Sequence, residues 1–532
     1  MRLYYAPLNH ELIPSLQKME VSSSLQLPSF HIVGLAGQEV AEARERVRAA
    51  IQASRLEFPR RRVVLNLSPA SIRKRGTGAD LAMALAILED PEGESPEEAW
   101  MAWGELGLEG QVKDPGQAFR AVHAAWRMGI PDVLLASAAR NEELERRLLL
   151  LRLEAGTRFF PRIHWVGTLE EALERVNLPN DERAIRARAG AAIKVTPTGD
   201  QEKDTQPQEA TFRTLARGPD PAELLPLEPA LARLVGVAAA GCHHLLLLGP
   251  RGSGKSCALD WMPWLLPPPG RDERIQRILT DELLGVRGER GEELAPVRRV
   301  GTGVKSQALL GSFTPQGLRP GELGLAHGGL LLADEFPEWT RDSREALRVP
   351  LERGVVHLNR VAGSVELPAR FLLAASGNLC PCGLWDGTPA TSVECRCGPP
   401  GRRLYLGRLS GPILDRIDLV VRVAGPATRK QTPTGRDARS ELEALRSRVR
   451  RTRMLLQQRH GQLPGLWSAA RAEEILEADP ALLESLGGVA VASRRSAHKV
   501  LRVACTLAAW DGKLTPSGSH WAEAASLRWH ET

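Results

Sequence analysis

The run Leu245-Leu-Leu-Leu248, followed at once by Gly249-Pro-Arg-Gly-Ser-Gly-Lys255-Ser256, constrains the fold of this 532-residue chain more than any other stretch. Four consecutive leucines suit a strand buried on both faces, as in a parallel sheet. The eight residues after them complete a G-x-x-x-x-G-K-[ST] pattern. Glycines at these positions let successive backbone N–H groups turn inward around phosphate oxygens, and a helix beginning at the lysine adds its positive dipole end. The expectation is a strand, a phosphate loop and a helix. Gly249, Gly252, Ser253 and Gly254 line the phosphates, Lys255 reaches the β- and γ-phosphates, and Ser256 ligates Mg²⁺.

About 80 residues later, Leu330-Leu-Leu-Ala-Asp334-Glu335 reads as an apolar strand ending in two carboxylates. Asp334 is placed to hold the Mg²⁺ shell and Glu335 to polarise an attacking water, a pair that favours hydrolysis over binding alone. Cys380-Pro-Cys382 and Cys395-Arg-Cys397 form two C-x-C pairs separated by 12 residues. Four thiolates on two tight turns can surround one tetrahedral, structural Zn²⁺ with no open position; free thiols or a disulfide pair are the alternatives, the latter disfavoured in a reducing compartment. Cys242, Cys257 and Cys505 stand alone and read as small buried hydrophobes.

Composition removes several classes. Seven cysteines in 532 residues exclude a disulfide scaffold and fit a reducing compartment. No apolar run approaches the ~18 residues of a membrane helix, and MRLYYAPLNH lacks the apolar core of a secretory signal, so a cytoplasmic protein without membrane partners is expected. The net charge is +6, with basic residues concentrated from Arg44 to Arg75 and from Arg429 to Arg459. Such patches suit a polyanion and equally suit solvated helix faces.

Strand and helix periodicities alternate early in the chain: Val63–Leu67 and Val133–Leu135 read as strands, Val40–Ala53 and Asp80–Leu88 as helices. Polar, aperiodic text follows, then a second α/β region, then helical spacing from Glu441 to Gln458 and from Ser493 to Ala509. The expected organisation is an α/β domain at 1–180, a linker at 181–211, an α/β ATP-binding core at 212–425 and a helical domain at 426–532.

In order, Gly249–Ser256, Arg319-Pro-Gly-Glu322, Leu325-Ala-His327, Asp334-Glu335, the four paired cysteines and Ser410-Gly-Pro-Ile-Leu-Asp-Arg416-Ile-Asp418 resemble the Mg-chelatase-like AAA+ ATPases of the YifB/ComM type. Ile32-Val-Gly-Leu35, Asn66-Leu-Ser-Pro-Ala70, Asp80-Leu81 and Gly104-Glu-Leu106 extend the resemblance towards the amino terminus, and Arg495–Ala509 towards the carboxyl terminus. It implies an α/β fold: a P-loop AAA+ core with a helical lid, preceded by a Lon-protease-like, ribosomal-protein-S5-domain-2-like domain. It also implies ATP and Mg²⁺ as cofactors, Asn378 as the residue placing the lytic water, and Arg416 as a finger reaching the γ-phosphate held by a neighbouring subunit. Arg495 falls at the sensor position of the lid, and the assembly implied is a homo-oligomeric ring, a hexamer. The activity implied is ATP hydrolysis coupled to sequence-independent DNA translocation or branch migration, as in a ComM-like helicase of recombination and transformation. A Mg-chelatase-type motor subunit and a nucleotide-binding regulatory protein are the alternatives. Arg251 stands where this family usually has proline, and text reading VGTGVKSQALLG replaces its Pro-His-His segment. Asp80 stands where a Lon peptidase would carry its serine nucleophile, so peptidase activity is not expected.

Overall fold

The structure is a computed structural model. It describes residues 2–8, 15–34, 38–69, 76–89, 98–157, 159–184, 220–285, 294–314, 317–360, 363–387, 395–425, 437–478, 482 and 494–528. The chain forms two compact units: 1–212 with 271–289, and 213–270 with 290–532. Residues 185–211 of the expected linker lie outside the described residues.

The first unit is built on a seven-stranded sheet. Its strands are β1 (Leu3–Pro7), β2 (Leu16–Ser24), β3 (Ser29–Val33), β4 (Arg62–Ser68), β5 (Ala99–Trp103), β6 (Asp132–Ala136) and β7 (Arg162–Val166), in the order β3-β4-β2-β1-β5-β6-β7. β2 is antiparallel to both β1 and β4, and the other neighbours are parallel. β4 buries Val63, Leu65 and Leu67 and turns the residues between them outward, the period of two expected of a sheet with one covered face. Helices α1 (Gln38–Ala53) and α2 (Asp80–Leu88) occupy the two stretches that read as helical. α2 is buried from Asp80 to Ile87. Its Asp80 has no exposed surface and accepts from Arg46 Nε at 2.8 Å and from the Leu106 amide at 3.4 Å. Burial pushes this carboxyl up to about 6, although both donors favour its charged form.

Residues 271–285 fall inside the expected core at 212–425 but pack with this first unit. Helix Arg271–Leu283 buries Ile275, Ile278 and Leu279 in the first unit's core. The α3 helix (Ala118–Met128) starts behind Gln117, which makes no side-chain cap. Glu282 caps it instead, accepting from Phe119 N at 3.3 Å and Arg120 N at 2.9 Å, while Arg120 Nη1 donates to Leu279 O at 3.0 Å.

The second unit carries a five-stranded parallel sheet of β8 (Leu245–Leu248), β9 (Val297–Val300), β10 (Gly329–Ala333), β11 (Phe371–Gly377) and β12 (Leu419–Arg422). The order is β9-β10-β11-β8-β12, so the first of these five along the chain sits between the fourth and the fifth. β8, β10 and β11 are buried at every position. Helix α4 (Pro229–Gly241) leads into β8, and α5 (Lys255–Leu265) leaves it. The carboxyl-terminal helices α6 (Ala438–His460), α7 (Arg494–Trp510) and α8 (Gly518–Ser526) lie in the same unit, so the expected boundary at 425/426 falls within it. Leu442, Val449, Leu501, Ala504 and Trp521 share one core with Val235, Leu245 and Leu247.

Candidate nucleotide site

In an open parallel sheet, ligands bind beyond the carboxyl ends of the strands where strand order reverses, which here is the end of β8. Leu248 is level with Gly377 of β11, and Ala333 of β10 with Ala375. Gly249–Ser256, Asp334-Glu335 and Asn378 therefore leave three adjacent strands at one edge. Gly252 and Gly254 have φ of 73° and 78°, the left-handed region that side chains rarely adopt, and α5 begins at Lys255 directly after them. Ser253 is buried, while Ser256 is exposed. Lys255 Nζ is buried against the loop itself, donating to Gly249 O at 2.8 Å, Pro250 O at 2.7 Å and Ser253 Oγ at 3.2 Å.

Asp334 is half-buried and Glu335 exposed. Glu335 takes φ 48°, which turns it sharply away from the strand. Its amide donates to Ser376 Oγ on β11 at 3.4 Å, and Trp339 Nε1 donates to Asp334 O at 3.0 Å. Arg299, on β9, donates to Asp334 Oδ2 at 3.3 Å and pairs with Asp260 of α5. Asp334 Oδ1 is buried with no hydrogen-bond partner among the described residues. An anionic oxygen in that state is costly unless something cationic meets it. A glycine-lined loop, an unpartnered carboxylate oxygen and an exposed serine hydroxyl thus suit a magnesium–nucleotide complex.

Arg416 and Arg495 are not brought to this edge. Arg416 precedes β12, whose first residue, Leu419, is level with Leu245 at the start of β8. It lies at the amino end of the sheet, about 13 Å or more along the strands from the phosphate loop at ~3.3 Å per residue. There it donates to Pro412 O at 2.7 Å and pairs with Glu352. Glu352 is held below the usual carboxylate range first by that hydrogen bond, and Arg495 adds its charge to the same carboxylate. α7 also reaches this end, where Lys499 Nζ donates to Leu414 O at 3.4 Å and Ile417 O at 3.2 Å on either side of Arg416. Burial pushes the Lys499 amine down to about 7 against the pull of Asp418.

The four paired cysteines converge. Sγ–Sγ distances are 3.4 Å for Cys380–Cys382, 3.5 Å for Cys382–Cys395 and 3.6 Å for Cys395–Cys380, and Cys397 completes a set within 4.8 Å. A disulfide needs about 2.05 Å, whereas a Zn–S length of ~2.3 Å gives tetrahedral edges of roughly 3.8 Å. The geometry fits a four-thiolate metal centre. Of the remaining cysteines, Cys505 is buried as expected, but Cys242 and Cys257 are only half-buried, both packed against the core.

Three segments of the chain match described families: residues 19–139 match "Subunit ChlI of Mg-chelatase", 228–431 "Magnesium chelatase, subunit ChlI" and 440–528 "Magnesium chelatase, subunit ChlI C-terminal". The competence protein ComM of Haemophilus influenzae is 30% identical over 519 residues, covering 96% of this chain and 94% of its own. This chain belongs to the ComM/YifB family of Mg-chelatase-like AAA+ proteins. YifB of Escherichia coli, an uncharacterised protein, is 29% identical over the same 519 residues, covering 96% of this chain and 93% of its own. An uncharacterised protein of Mycobacterium tuberculosis is 32% identical over 414 residues, or 76% of this chain and 73% of its own. Membership makes the chain AAA+ and brings ATP and Mg²⁺ with it. No helix among the described residues is long and apolar enough to cross a membrane.

The sequence reading missed Arg299, Asp260, Glu352 and Lys499. Arg298 and Arg299 are adjacent on a strand, so they point to opposite faces. Arg298 goes to Glu322, with Nε–Oε2 at 2.5 Å, and Arg299 to Asp334. The alternation was legible; the partners were not.

Proposed function

We propose that this protein is a ring-forming ATP hydrolase whose reaction centre is completed by the next subunit, and that it uses hydrolysis to move along DNA. The observation that carries the reading is the division of the candidate residues between opposite ends of one sheet. The phosphate loop, Asp334, Glu335 and Asn378 lie at one end and Arg416 at the other, where Arg495 acts on the same Glu352 carboxylate. A head-to-tail ring brings the second set of one subunit to the first set of its neighbour, and only a closed rotation gives every subunit both.

In this mechanism the amides of 252–256 bind the phosphate oxygens, and Lys255 exchanges the Gly249 and Pro250 carbonyls for the β- and γ-phosphates. Ser256 and Asp334 would hold a magnesium ion, which would supply neutralisation of the phosphates' negative charge. Glu335 polarises the attacking water and Asn378 orients it. Arg416 of one subunit leaves Glu352 to meet the charge developing on the neighbour's γ-phosphate, and Arg495 supports it from α7. The carboxyl-terminal helices act as the lid, and the first unit is of the Lon-like, S5-like type without peptidase activity. Six subunits form the ring, a zinc ion fills the cysteine cluster, and the protein works in the cytoplasm.

The relative named a competence protein supports DNA as the substrate track. So do exposed Arg450, Arg451 and Arg459 on α6, suited to sequence-independent contact with phosphates. Not every arginine of that helix is available: Arg448 donates to Trp510 O at 3.2 Å and Arg453 to Ala239 O at 2.7 Å. The second reading, a chelatase-type motor, is favoured by the three matches to magnesium chelatase families. ATP turnover by purified protein, measured without DNA and with single strands, duplex and a four-way junction, separates them. Stimulation by DNA that is lost in Glu335→Gln supports the DNA motor, most strongly for branch migration if the junction is best. Turnover indifferent to every DNA overturns that reading in favour of a chelatase-type or other client. ATP bound without turnover makes the protein a nucleotide-dependent regulator.

A further inference from the structure

The cysteine cluster is joined to the phosphate loop. The Arg251 amide, second residue of the loop after Gly249, donates to Gly383 O at 2.7 Å. Gly383 follows Cys382 directly and takes φ +74°; a Cβ there would lie 2.7 Å from both Cγ and Nε of Arg251. The same turn reaches the end of the neighbouring strand, where Arg422 of β12 donates to Gly387 O at 3.5 Å. Asp386, 4% exposed, lies beneath Gly425, whose Cβ position is 3.5 Å from its carboxylate and 3.3 Å from Pro250. On the other side, Cys380 is two residues beyond Asn378, and the Gly249 amide donates to Gly377 O at 3.1 Å.

Turn 380–387 therefore sits across the carboxyl ends of β11, β8 and β12, touching the backbone on which the nucleotide depends. Its own regular structure is slight: the Trp385 amide donates to Cys380 Sγ at 3.5 Å, and Arg402 stacks on the Trp385 ring at 4.5 Å. A turn this short and polar has little apolar burial to hold it, and a metal that ties its Cys380 and Cys382 to Cys395 and Cys397 would supply that constraint as folding free energy.

We infer that Zn²⁺ bound by Cys380, Cys382, Cys395 and Cys397 braces the phosphate loop through Gly383 and Arg251, so that occupancy of the metal site sets the affinity for ATP. The inference rests on the zinc reading above. With the metal in place, turn 380–387 is fixed, its Gly383 carbonyl holds the Arg251 amide, and the loop keeps the curvature that aims its remaining amides at phosphate. Without the metal the turn loosens, and nucleotide binding must order it.

The test uses the full chain. Elemental analysis is expected to find one zinc per chain. Binding of a fluorescent ATP analogue in excess Mg²⁺ is then compared for zinc-loaded, chelator-stripped and zinc-reloaded protein. Stripping is expected to weaken binding about tenfold, the cost of one ordered hydrogen bond and its loop, with affinity restored by Zn²⁺ alone. Gly383→Ala, which leaves all four thiols intact, is expected to retain zinc and bind the analogue several-fold more weakly. A chain that neither contains nor takes up zinc overturns the metal reading and the inference with it. Zinc bound, but affinity unchanged on stripping, overturns the brace and leaves the metal site standing. Should stripping unfold the protein, as circular dichroism would reveal, Gly383→Ala decides alone: zinc retained with unchanged affinity refutes the brace.

Discussion

If each reaction centre is shared between subunits, two inactive proteins should restore each other. Lys255→Ala removes the amine that reaches the phosphates but keeps Arg416, while Arg416→Ala keeps the phosphate loop and loses the finger. In the structure these residues are separated by the length of β8, four residues or about 13 Å, and Arg416 is tied to Glu352 and Pro412. Within one subunit Arg416 therefore lies away from the phosphate loop. Alone, each variant should lose about 10³-fold or more of turnover, the usual value of an arginine finger. In rings assembled from an equal mixture, an interface works when an Arg416→Ala subunit offers its loop to a Lys255→Ala neighbour. Random mixing makes that about one interface in four, so turnover should recover to roughly a quarter of the unmodified protein's. The assay is phosphate release against mixing ratio, with subunit exchange verified by fluorescence energy transfer between labelled variants. Verified mixed rings with no turnover above the two separate variants would refute the shared centre. Normal turnover by Arg416→Ala alone would refute the role of Arg416.

Arg299→Ala should lower the Mg²⁺ concentration for half-maximal turnover about two- to fivefold, because it removes a partly exposed cation that competes for Asp334; a magnesium titration of activity checks this. Glu335→Gln should bind ATP normally yet hydrolyse it at least about 10²-fold more slowly, measured by nucleotide binding alongside single-turnover hydrolysis. Asp80→Asn tests the first unit's buried carboxylate. The folded value of about 6 lies above the ordinary 3.8, so its contribution to stability is complete below about 4 and lost as pH rises through about 6. The variant should flatten the pH dependence of the first unit's urea midpoint across that window. Gly236→Ala places a Cβ 2.3 Å from the Trp510 ring and 3.0 Å from Leu445. Overpacking against a rigid ring costs about 1–3 kcal/mol, outweighing the ~1 kcal/mol of helix propensity gained, so the melting temperature should fall.

The local elements were legible because their signals are local. Asp80–Leu88 is the helix the spacing predicts, Leu245–Leu248 the strand, and α6 and α7 contain the two carboxyl-terminal helical readings so far as those lie in the described residues. The phosphate loop was readable too, since its chemistry needs particular residues at fixed spacing along one stretch of chain. The paired cysteines were readable for the same reason, each pair being a single turn.

Packing decided the rest. Helix Arg271–Leu283 reads as part of the ATP-binding region because it lies there in the chain. Yet its isoleucines are buried in the first unit's core, and the amides Glu282 caps lie about 160 residues away in the chain. No periodicity reports a partner at that distance. Arg416 was legible as a motif, but its position at the end of the sheet opposite Lys255 follows from strand order and register, which only pairing sets. Arg299, Glu352 and Lys499 look like ordinary charged residues until the fold brings Asp334, Arg416 and the Leu414 and Ile417 carbonyls against them. The sequence by itself determined which local elements and motifs the chain carries. The tertiary structure decided which groups share one centre, because hydrogen-bonded strands and a common apolar core fix distances that chain order leaves open.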